Sequence, residues 1–227
     1  MTISAAMVKD LRDKTGAGMM DCKQALVESK GDMELAYEYL RKKGAAVAAK
    51  RAGRDAKEGK VLLAQNEKRA VAIEANCETE PVGNLDEFND LAQQTLALAL
   101  EKAPADLDSL LDAPLANGET VRSSWEQLSG KVGEKMGIRR VAVIEKKAGD
   151  VIGQYSHMGG KIGVLVQLNV AGAAAEAAKA AVHEVALQVA AFAPIAVRAD
   201  EIDPEVVAKE REIYREQALQ SGAKPEF

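Results

Sequence analysis

Residues able to perform nucleophilic catalysis are few in this chain of 227 residues, which has two histidines and two cysteines. Such catalysis needs a Ser, Cys or Thr beside a base that a third group orients. His183 falls inside an Ala-rich helical pattern, and the motif around His157 indicates no partner nucleophile. Cys77 ends a strand-like run, where small buried thiols are common, and is predicted to be structural. The sequence therefore predicts no catalytic nucleophile.

Paired carboxylates can serve as a general acid and base, and Glu78 and Glu80 are the candidates here. Acids at positions i and i+2 on a strand end are usually solvated, and nothing in the surrounding sequence marks a cleft. We therefore expect two surface carboxylates. With no catalytic residue identified, the sequence does not support an enzyme.

A phosphate-binding loop of the form G-x-x-x-x-G-K-[ST] is matched only superficially by "GQYSHMGGKIG". The position five residues before Gly160 holds Tyr155, and Ile162 follows Lys161 where a magnesium-binding hydroxyl is required. No G-x-G-x-x-G motif follows a strand-like run either. We therefore predict that the chain binds no nucleotide itself and uses no cofactor.

Composition argues against several other classes of ligand. The net charge of -5 disfavours nucleic acid as the main ligand, because phosphate binding needs a surplus of Lys and Arg. Cys22 and Cys77 lie 55 positions apart without CxxC spacing, which argues against a metal site. The most apolar stretch, "AGAAAEAAKAAVHEVALQVAAFA", is broken by charges and is too polar to cross a membrane, and the N-terminus lacks a signal-peptide pattern. A cytoplasmic protein is expected.

Three corners instead carry residues suited to binding another protein. The methionine corner, residues 15–21 ("TGAGMMD"), places Met19 and Met20 at a Gly-rich bend, and "CETEPVGN" and "SHMGGK" are the other two corners. Exposed methionine fits irregular partner surfaces because its side chain is flexible and polarisable. The methionine pair is interpreted either as an inward staple of the bend or as an outward adhesive patch.

The first 44 residues show three helical patterns and are predicted to form a small three-helix domain, residues 1–44, with Asp32 capping the third helix. Residues 45–60 follow as a basic linker or helix. They belong to a strip at 41–60 with eight Lys or Arg against two acids. The apolar helix faces comprise Ile3, Met7, Val8 and Leu11, then Cys22, Ala25 and Leu26, then Leu35, Ala36, Tyr39 and Leu40.

The middle of the chain alternates strands and helices and predicts an α+β fold with two small subdomains. The first subdomain, residues 61–137, combines a β-hairpin with two amphipathic helices, the second of which is expected to carry Met136 on its apolar seam. The second subdomain, residues 138–199, contains the strands "RRVAVIEKK", "DVIGQYSH" and "KIGVLVQLNV", then an Ala-rich helix at about 173–193.

The last segment, residues 200–227, is predicted to be a helical arm. A charged helix starts near Pro204, with one apolar edge suited to pairing with another helix. The chain then ends on a turn-like "QSGAKP". A charged helix that ends on a turn without a partner helix leads us to expect a truncated arm.

Three stretches together resemble the bacterial elongation factor Ts family, namely "LRDKTGAGMMDCKQALVESKGDMELAYEYLRKKG", "EANCETEPV" and "HMGGKIGVLV". The resemblance runs from about residue 3 to the end, in the family's order and spacing. It implies an N-terminal ubiquitin-associated-like domain, a core of two α+β subdomains and a helical hairpin whose first arm is similar to residues 204–221. The family's returning arm and terminal module are not recognised. The resemblance also implies a guanine-nucleotide exchange factor of elongation factor Tu in translation elongation.

The same resemblance implies which residues promote exchange. The family's motif Thr-Asp-Phe-Val inserts into the GTPase near its magnesium site and favours release of the metal and GDP. Here the motif is Thr79, Glu80, Pro81 and Val82, which we name the TEPV segment. Glu80 keeps the charge on a longer arm, whereas Pro81 lacks the ring that resembles a wedge in the family. We therefore expect binding to elongation factor Tu with less efficient exchange than in a member with Phe.

The other two corners are implied contacts with elongation factor Tu. Because the family's N-terminal domain docks on the GTPase domain, one of Met19 and Met20 is expected to staple the corner and the other to touch the partner. The segment that family members place against the far domain of elongation factor Tu corresponds here to His157, Met158, Gly159 and Lys161.

Two alternative functions remain open at this point. The first is a non-catalytic ubiquitin-associated-like module that binds another protein, which the departure at Pro81 favours. The second is an RNA-binding protein that uses the strip at 41–60, which the acidic total and the scarcity of aromatic residues oppose. A homodimer is also left open, because members of the family differ in oligomeric state.

Overall fold

The computed structural model describes residues 3–51, 53–170 and 175–222. It confirms an α+β fold in which helices accompany antiparallel sheets. The chain divides into two compact units, Met1–Ala190 and Ala191–Phe227. The finer domain boundaries stay predictions.

Three helices open the first unit: α1 (Ala5–Thr15), α2 (Met19–Glu28) and α3 (Met33–Arg51). The Ser4 hydroxyl caps α1 by accepting from the Met7 N–H, and Asp32 Oδ1 caps α3 by accepting two backbone N–H groups, as predicted. The buried residues of this bundle are Val8, Leu11, Cys22, Ala25, Leu26 and Ala36, with Ile3, Met7, Tyr39 and Leu40 packed against them.

Leu35 departs from the predicted core of this bundle. Its side chain is 53% exposed, while the neighbouring Ala36 is fully buried. Adjacent helical positions are rotated by about 100°, so the stripe that runs through Ala36 and Leu40 turns Leu35 away from α1 and α2. Leu35 was predicted to be in the core because it is apolar, but the packing of the three helices favours the smaller Ala36 there.

A three-stranded antiparallel sheet forms the centre of the first unit, with strand order β1 (Glu58–Gln65), β2 (Arg69–Cys77) and β3 (Met136–Glu145). The turn between β1 and β2 is closed by Asn66, whose Oδ1 accepts from the backbone N–H groups of the two residues that end the turn. The sequence analysis grouped β3 with the two strands that follow it. That grouping is wrong, because β3 pairs with β2. Alternation identifies a strand but not its partner, which lies about 65 positions earlier.

Four helices lie between β2 and β3: α4 (Glu80–Gly83), α5 (Asp86–Lys102), α6 (Leu107–Leu111) and α7 (Val121–Val132). Phe88 and Trp125 pack edge to face with ring centroids 5.3 Å apart, and the Trp125 N–H donates to the buried Thr95 hydroxyl. Met136 was predicted on the seam of α7, but Gly133, at φ 93, ends that helix and Met136 begins β3.

A second sheet consists of β4 (Asp150–His157) and β5 (Ile162–Asn169), an antiparallel hairpin. A side chain at Gly163 would collide with Val61 of β1, so the glycine permits the hairpin to pack against the first sheet. Helix α8 (Ala175–Phe192) follows and buries Val182 and Ala186. Positions 173 and 174 of the predicted Ala-rich helix lie outside the described residues.

The second unit contains α9 (Pro204–Gln220), which begins at the predicted proline. Asp203 caps it by accepting from the Glu205 N–H, and proline suits the first turn because that position needs no N–H donor. Gln220 of the predicted "QSGAKP" turn still belongs to α9, Ser221 and Gly222 form a turn, and residues 223–225 lie outside the described residues. In the described ranges, no helix combines the length and the apolar character needed to cross a bilayer.

Candidate functional site

The TEPV segment lies where β2 ends and the chain turns into the short helix α4. Thr79, Glu80 and Pro81 are exposed, whereas Val82 is only 8% exposed and belongs to the core that underlies the sheet. Three of the four predicted residues are therefore available to a partner, and Val82 anchors the segment from below.

Thr79 is held by a residue that the sequence analysis did not identify. Glu134, which follows α7, accepts two hydrogen bonds from Thr79: its Oε2 from the backbone N–H at 3.0 Å and its Oε1 from the hydroxyl at 2.7 Å. Thr79 occupies the N-cap position of α4, yet its side chain makes no capping bond there. The hydroxyl that could cap its own helix is instead donated across the fold.

Glu78 is likewise fixed rather than freely solvated, contrary to expectation. Its Oε1 accepts from the Lys135 backbone N–H at 2.5 Å and from the Arg54 guanidinium at 3.1 Å. The Lys135 hydrogen bond, with further help from Arg54, lowers the pKa of the Glu78 carboxyl below its ordinary value. Glu78 therefore ties the end of β2 to the start of β3 and is not paired with Glu80 as an acid and base.

Cys77 confirms the structural role predicted for it. The side chain is fully buried, and its Sγ donates to the Thr79 carbonyl at 3.1 Å. Burial raises the pKa of the Cys77 thiol to about 11, so it stays protonated and is a poor nucleophile near neutral pH. Beneath it, a Cβ on Gly83 would lie 3.3 Å from the sulfur and 3.7 Å from the Gly59 Cα, so α4 sits directly on β1.

The hairpin corner, residues 157–161, projects from the turn between β4 and β5. Met158 is 70% exposed and has φ 50, and Gly159 and Gly160 follow with φ 66 and 97. Backbone of this kind favours glycine, and Gly160 is also buried against β1, which accounts for both glycines in the motif. His157 is exposed, with Nδ1 2.9 Å from the Tyr155 hydroxyl.

The hairpin corner and the TEPV segment both lie at the N-terminal end of β1. The Lys161 ammonium donates to Glu58 at the start of β1, and α4 packs on the same strand. The hydrogen bond to Glu58 raises the pKa of Lys161, and the charge of Glu80 adds to the shift. Glu80 and Lys161 therefore lie within electrostatic range of each other.

The methionine corner presents both of its methionines to solvent. Met19 is 57% and Met20 is 72% exposed, in the first turn of α2. The expectation that one of them staples the bend is wrong, because hydrogen bonds among neighbouring residues close it. The Thr15 hydroxyl donates to the Leu11 carbonyl at 2.7 Å and accepts from the Ala17 N–H, whose own carbonyl lies 3.6 Å from the Cys22 Sγ.

In the described part of the basic strip at 41–60, five basic side chains pair with carboxylates and two contact uncharged oxygens. Each of its basic side chains that the structure describes contacts a partner on the chain itself. The pairs are Arg41 with Glu119, Lys42 with Glu38, Lys43 with Asp21, Arg51 with the Ser129 carbonyl, Arg54 with Glu78, Lys57 with Asp55, and Lys60 with Asn89. This pairing disfavours the RNA-binding alternative, which needs cations free to meet phosphates. Among the described residues, no group of three or more His, Cys, Asp or Glu is placed to hold a metal ion.

Comparison with known proteins agrees with the motifs that these corners carry. Residues 78–227 match the family described as Elongation factor TS. Elongation factor Ts of Hydrogenovibrio crunogenus is 44% identical over 229 residues, which cover 100% of this chain and 75% of that protein. The proteins of the same name from Chlorobaculum tepidum and Chlorobium chlorochromatii are each 46% identical over 230 residues, covering 99% of this chain and 79% of theirs. The chain therefore belongs to the elongation factor Ts family and is a translation elongation factor.

Proposed function

We propose that this chain is a guanine-nucleotide exchange factor that binds elongation factor Tu and promotes release of magnesium and GDP. The proposal rests on membership of the elongation factor Ts family and on the surface that the described residues present. In this role the chain acts by binding, without an acid, base or nucleophile of its own, and works in the cytoplasm where translation takes place.

The mechanism follows from linkage between two ligands of one GTPase. A protein that binds the nucleotide-free form more tightly than the GDP form must weaken GDP binding by the same factor. The chain therefore needs only a surface that fits elongation factor Tu better once the nucleotide has left. No covalent bond is made or broken when the nucleotide is released.

One observation carries the proposal: the TEPV segment exposes Glu80 and Pro81 on a fixed base. Val82 is buried beneath them, Thr79 is hydrogen-bonded to Glu134, and Cys77 donates to the Thr79 carbonyl. An element that enters another protein must keep its direction while it displaces what it meets. The Glu80 carboxylate can compete with phosphate oxygens for the magnesium ion or repel them, and Pro81 provides a compact, stiff tip.

Docking is assigned to the two other corners. Met19 and Met20 supply flexible apolar side chains from the N-terminal helices, and Met158 supplies one from the hairpin corner, beside His157, Gly159 and Lys161. Methionines that are exposed in the free chain and become buried on association stabilise a complex through the hydrophobic effect. The TEPV segment then acts on a partner that is already held.

The decisive experiment measures release of fluorescent GDP from elongation factor Tu, with excess unlabelled GDP, at increasing concentrations of this chain. We expect the release rate to rise and saturate. The direct control is the same titration of the chain alone with fluorescent GDP, in which no binding is expected. An unchanged release rate, or nucleotide bound by the chain itself, contradicts the proposal.

A further inference from the structure

Glu134 lies at a point of the backbone that is fixed from two directions. Gly133 ends α7 immediately before it, and the Ser129 hydroxyl donates to the Glu134 carbonyl at 2.5 Å. Ser129 is itself buried, and its own carbonyl accepts from the Arg51 guanidinium of α3 at 2.7 Å. The carboxylate of Glu134 thus extends from a well-anchored position.

Both oxygens of that carboxylate bind one residue of the TEPV segment. A single hydrogen bond would leave Thr79 free to rotate about it, whereas two bonds to separate atoms fix both the backbone and the side chain. Hydrogen bonds to an ionised carboxylate are also stronger than those between neutral groups. The Thr79 side chain makes no capping bond to α4, so the two bonds to Glu134 orient this residue.

The arrangement is reciprocal with the pair next to it. The Glu78 carboxylate accepts from the Lys135 backbone N–H, while the Glu134 carboxylate accepts from the Thr79 backbone N–H. The ladder between β2 and β3 ends at the pair of Cys77 with Met136. Beyond that pair, two carboxylates replace the backbone carbonyls and continue the pairing by two residues on each strand.

We propose that Glu134 is the positioning residue of the TEPV segment: by holding Thr79 at two points, it sets the direction in which Glu80 and Pro81 leave the sheet. The inference rests on the proposed function, since direction matters only for a segment that acts on a partner. Glu134 is half-buried, and its effect on exchange passes through Thr79.

The test compares Glu134→Met with the parent in GDP release from elongation factor Tu. Methionine keeps the length of the side chain but removes both carboxylate oxygens, so both bonds to Thr79 are lost. Glutamine would not serve, because its amide can donate to the Thr79 hydroxyl while its carbonyl accepts from the Thr79 N–H. Loss of the two bonds corresponds to about a tenfold lower maximal release rate. The half-saturating concentration is expected to stay the same, because docking uses other residues. Glu126→Met on α7 is the matched control, with the same loss of charge and no expected effect.

A double-mutant cycle with Thr79→Val identifies the route of the effect. Valine keeps the shape of threonine and removes the hydroxyl that Glu134 holds. If Glu134 acts through Thr79, the double variant loses much less than the product of the two single losses. Additive losses, or a Glu134→Met variant as active as the parent, overturn the inference. Thr79→Ser retains the hydroxyl that Thr79→Val removes, and it is expected to keep most of the parent's maximal rate of GDP release.

Amide hydrogen exchange in the free chain separates this inference from the proposed function. The Thr79 N–H donates to Glu134 and is expected to exchange faster in Glu134→Met but not in Glu126→Met, by more than any general change in stability accelerates the other amides. Unaltered protection of Thr79 overturns the inference. If the parent fails to accelerate GDP release, the proposed function fails and with it the role of Glu134 in exchange. The amide measurement still decides whether Glu134 holds Thr79.

Discussion

The methionine corner and the TEPV segment both lie beside a buried cysteine, but different parts of the chain fix them. In the methionine corner, the bonds that close the bend join residues within seven positions, from Thr15 to Cys22, and only its last residue, Asp21, pairs further away, with Lys43 of α3. In the TEPV segment, Thr79 is held by Glu134, which lies 55 positions further along the chain. The first exposes two long, flexible side chains, and the second exposes a short, stiff proline.

This difference matches two separate tasks in the proposed function. A docking surface benefits from side chains that adapt to the partner, and its backbone needs only local support. A segment that must change the partner has to resist the reaction force, and so it needs support from the rest of the fold. We therefore expect the methionine corner to control affinity and the TEPV segment to control the maximal rate of exchange.

The largest expected effect comes from replacing both methionines with alanine. Met19→Ala with Met20→Ala removes apolar contact worth about 2 kcal/mol, so the half-saturating concentration for GDP release is expected to rise roughly thirtyfold. The maximal rate should not change. Val27→Ala, an exposed apolar residue elsewhere on α2, is the control. A lower maximal rate at unchanged half-saturation would reverse the assignment of tasks.

Pro81→Phe is the next largest and restores the ring of the family's motif. A wedge of this kind gains about 1.4 kcal/mol over proline, which predicts roughly a tenfold higher maximal rate of GDP release. Half-saturation should move little. Pro81→Ala distinguishes the gain of a ring from the loss of proline, and it is expected to be slower than the parent. No gain with phenylalanine would refute the wedge argument.

The two cysteines allow a matched comparison of the corners at their bases. Cys22→Ala and Cys77→Ala each remove a fully buried sulfur, and each is expected to lower the free energy of unfolding by about 1 kcal/mol in chemical denaturation. Only Cys77→Ala should also lower the maximal rate of GDP release, because its Sγ holds the Thr79 carbonyl. If both changes lowered the maximal rate of GDP release equally, the two cysteines would not differ in their roles.

The smallest expected effect is that of Glu78 on how the stability of the fold depends on pH. The pKa of Glu78 is lower in the folded chain than its ordinary value of 4.5, so its ionised form stabilises the fold. That contribution is complete above the ordinary value and is lost as the pH falls through the lowered pKa. Thermal unfolding followed across this range should show a weaker acid dependence in Glu78→Gln than in the parent. Glu101→Gln, on the exposed side of α5, should leave the dependence as it is.

Local patterns predicted the elements of this fold but not the contacts that join them. The apolar spacing on α5 and the alternation in β1 and β2 depend on neighbours in sequence, so helix and strand types were correct. The partner of β3 and the hydrogen bonds between Thr79 and Glu134 join residues far apart, and no local signal encodes them. Glu134 follows a glycine that ends a helix, which in sequence looks like any surface acid.

The candidate site was predictable where family motifs are specific and not where packing decides. The exposure of Glu80, Pro81 and Met158 is compatible with the roles that the resemblance implies, which stay proposals. The staple expected at Met19 or Met20 was wrong, because Thr15 closes the bend at lower cost in side-chain entropy.

The absent side chain at Gly163 has a mechanical consequence. It lets the hairpin pack closely on β1, the strand against which α4 also packs, so one strand supports both the hairpin corner and the TEPV segment. Under the proposed function, we expect a partner that binds at Met158 to be coupled to Pro81 through this strand rather than through a loop.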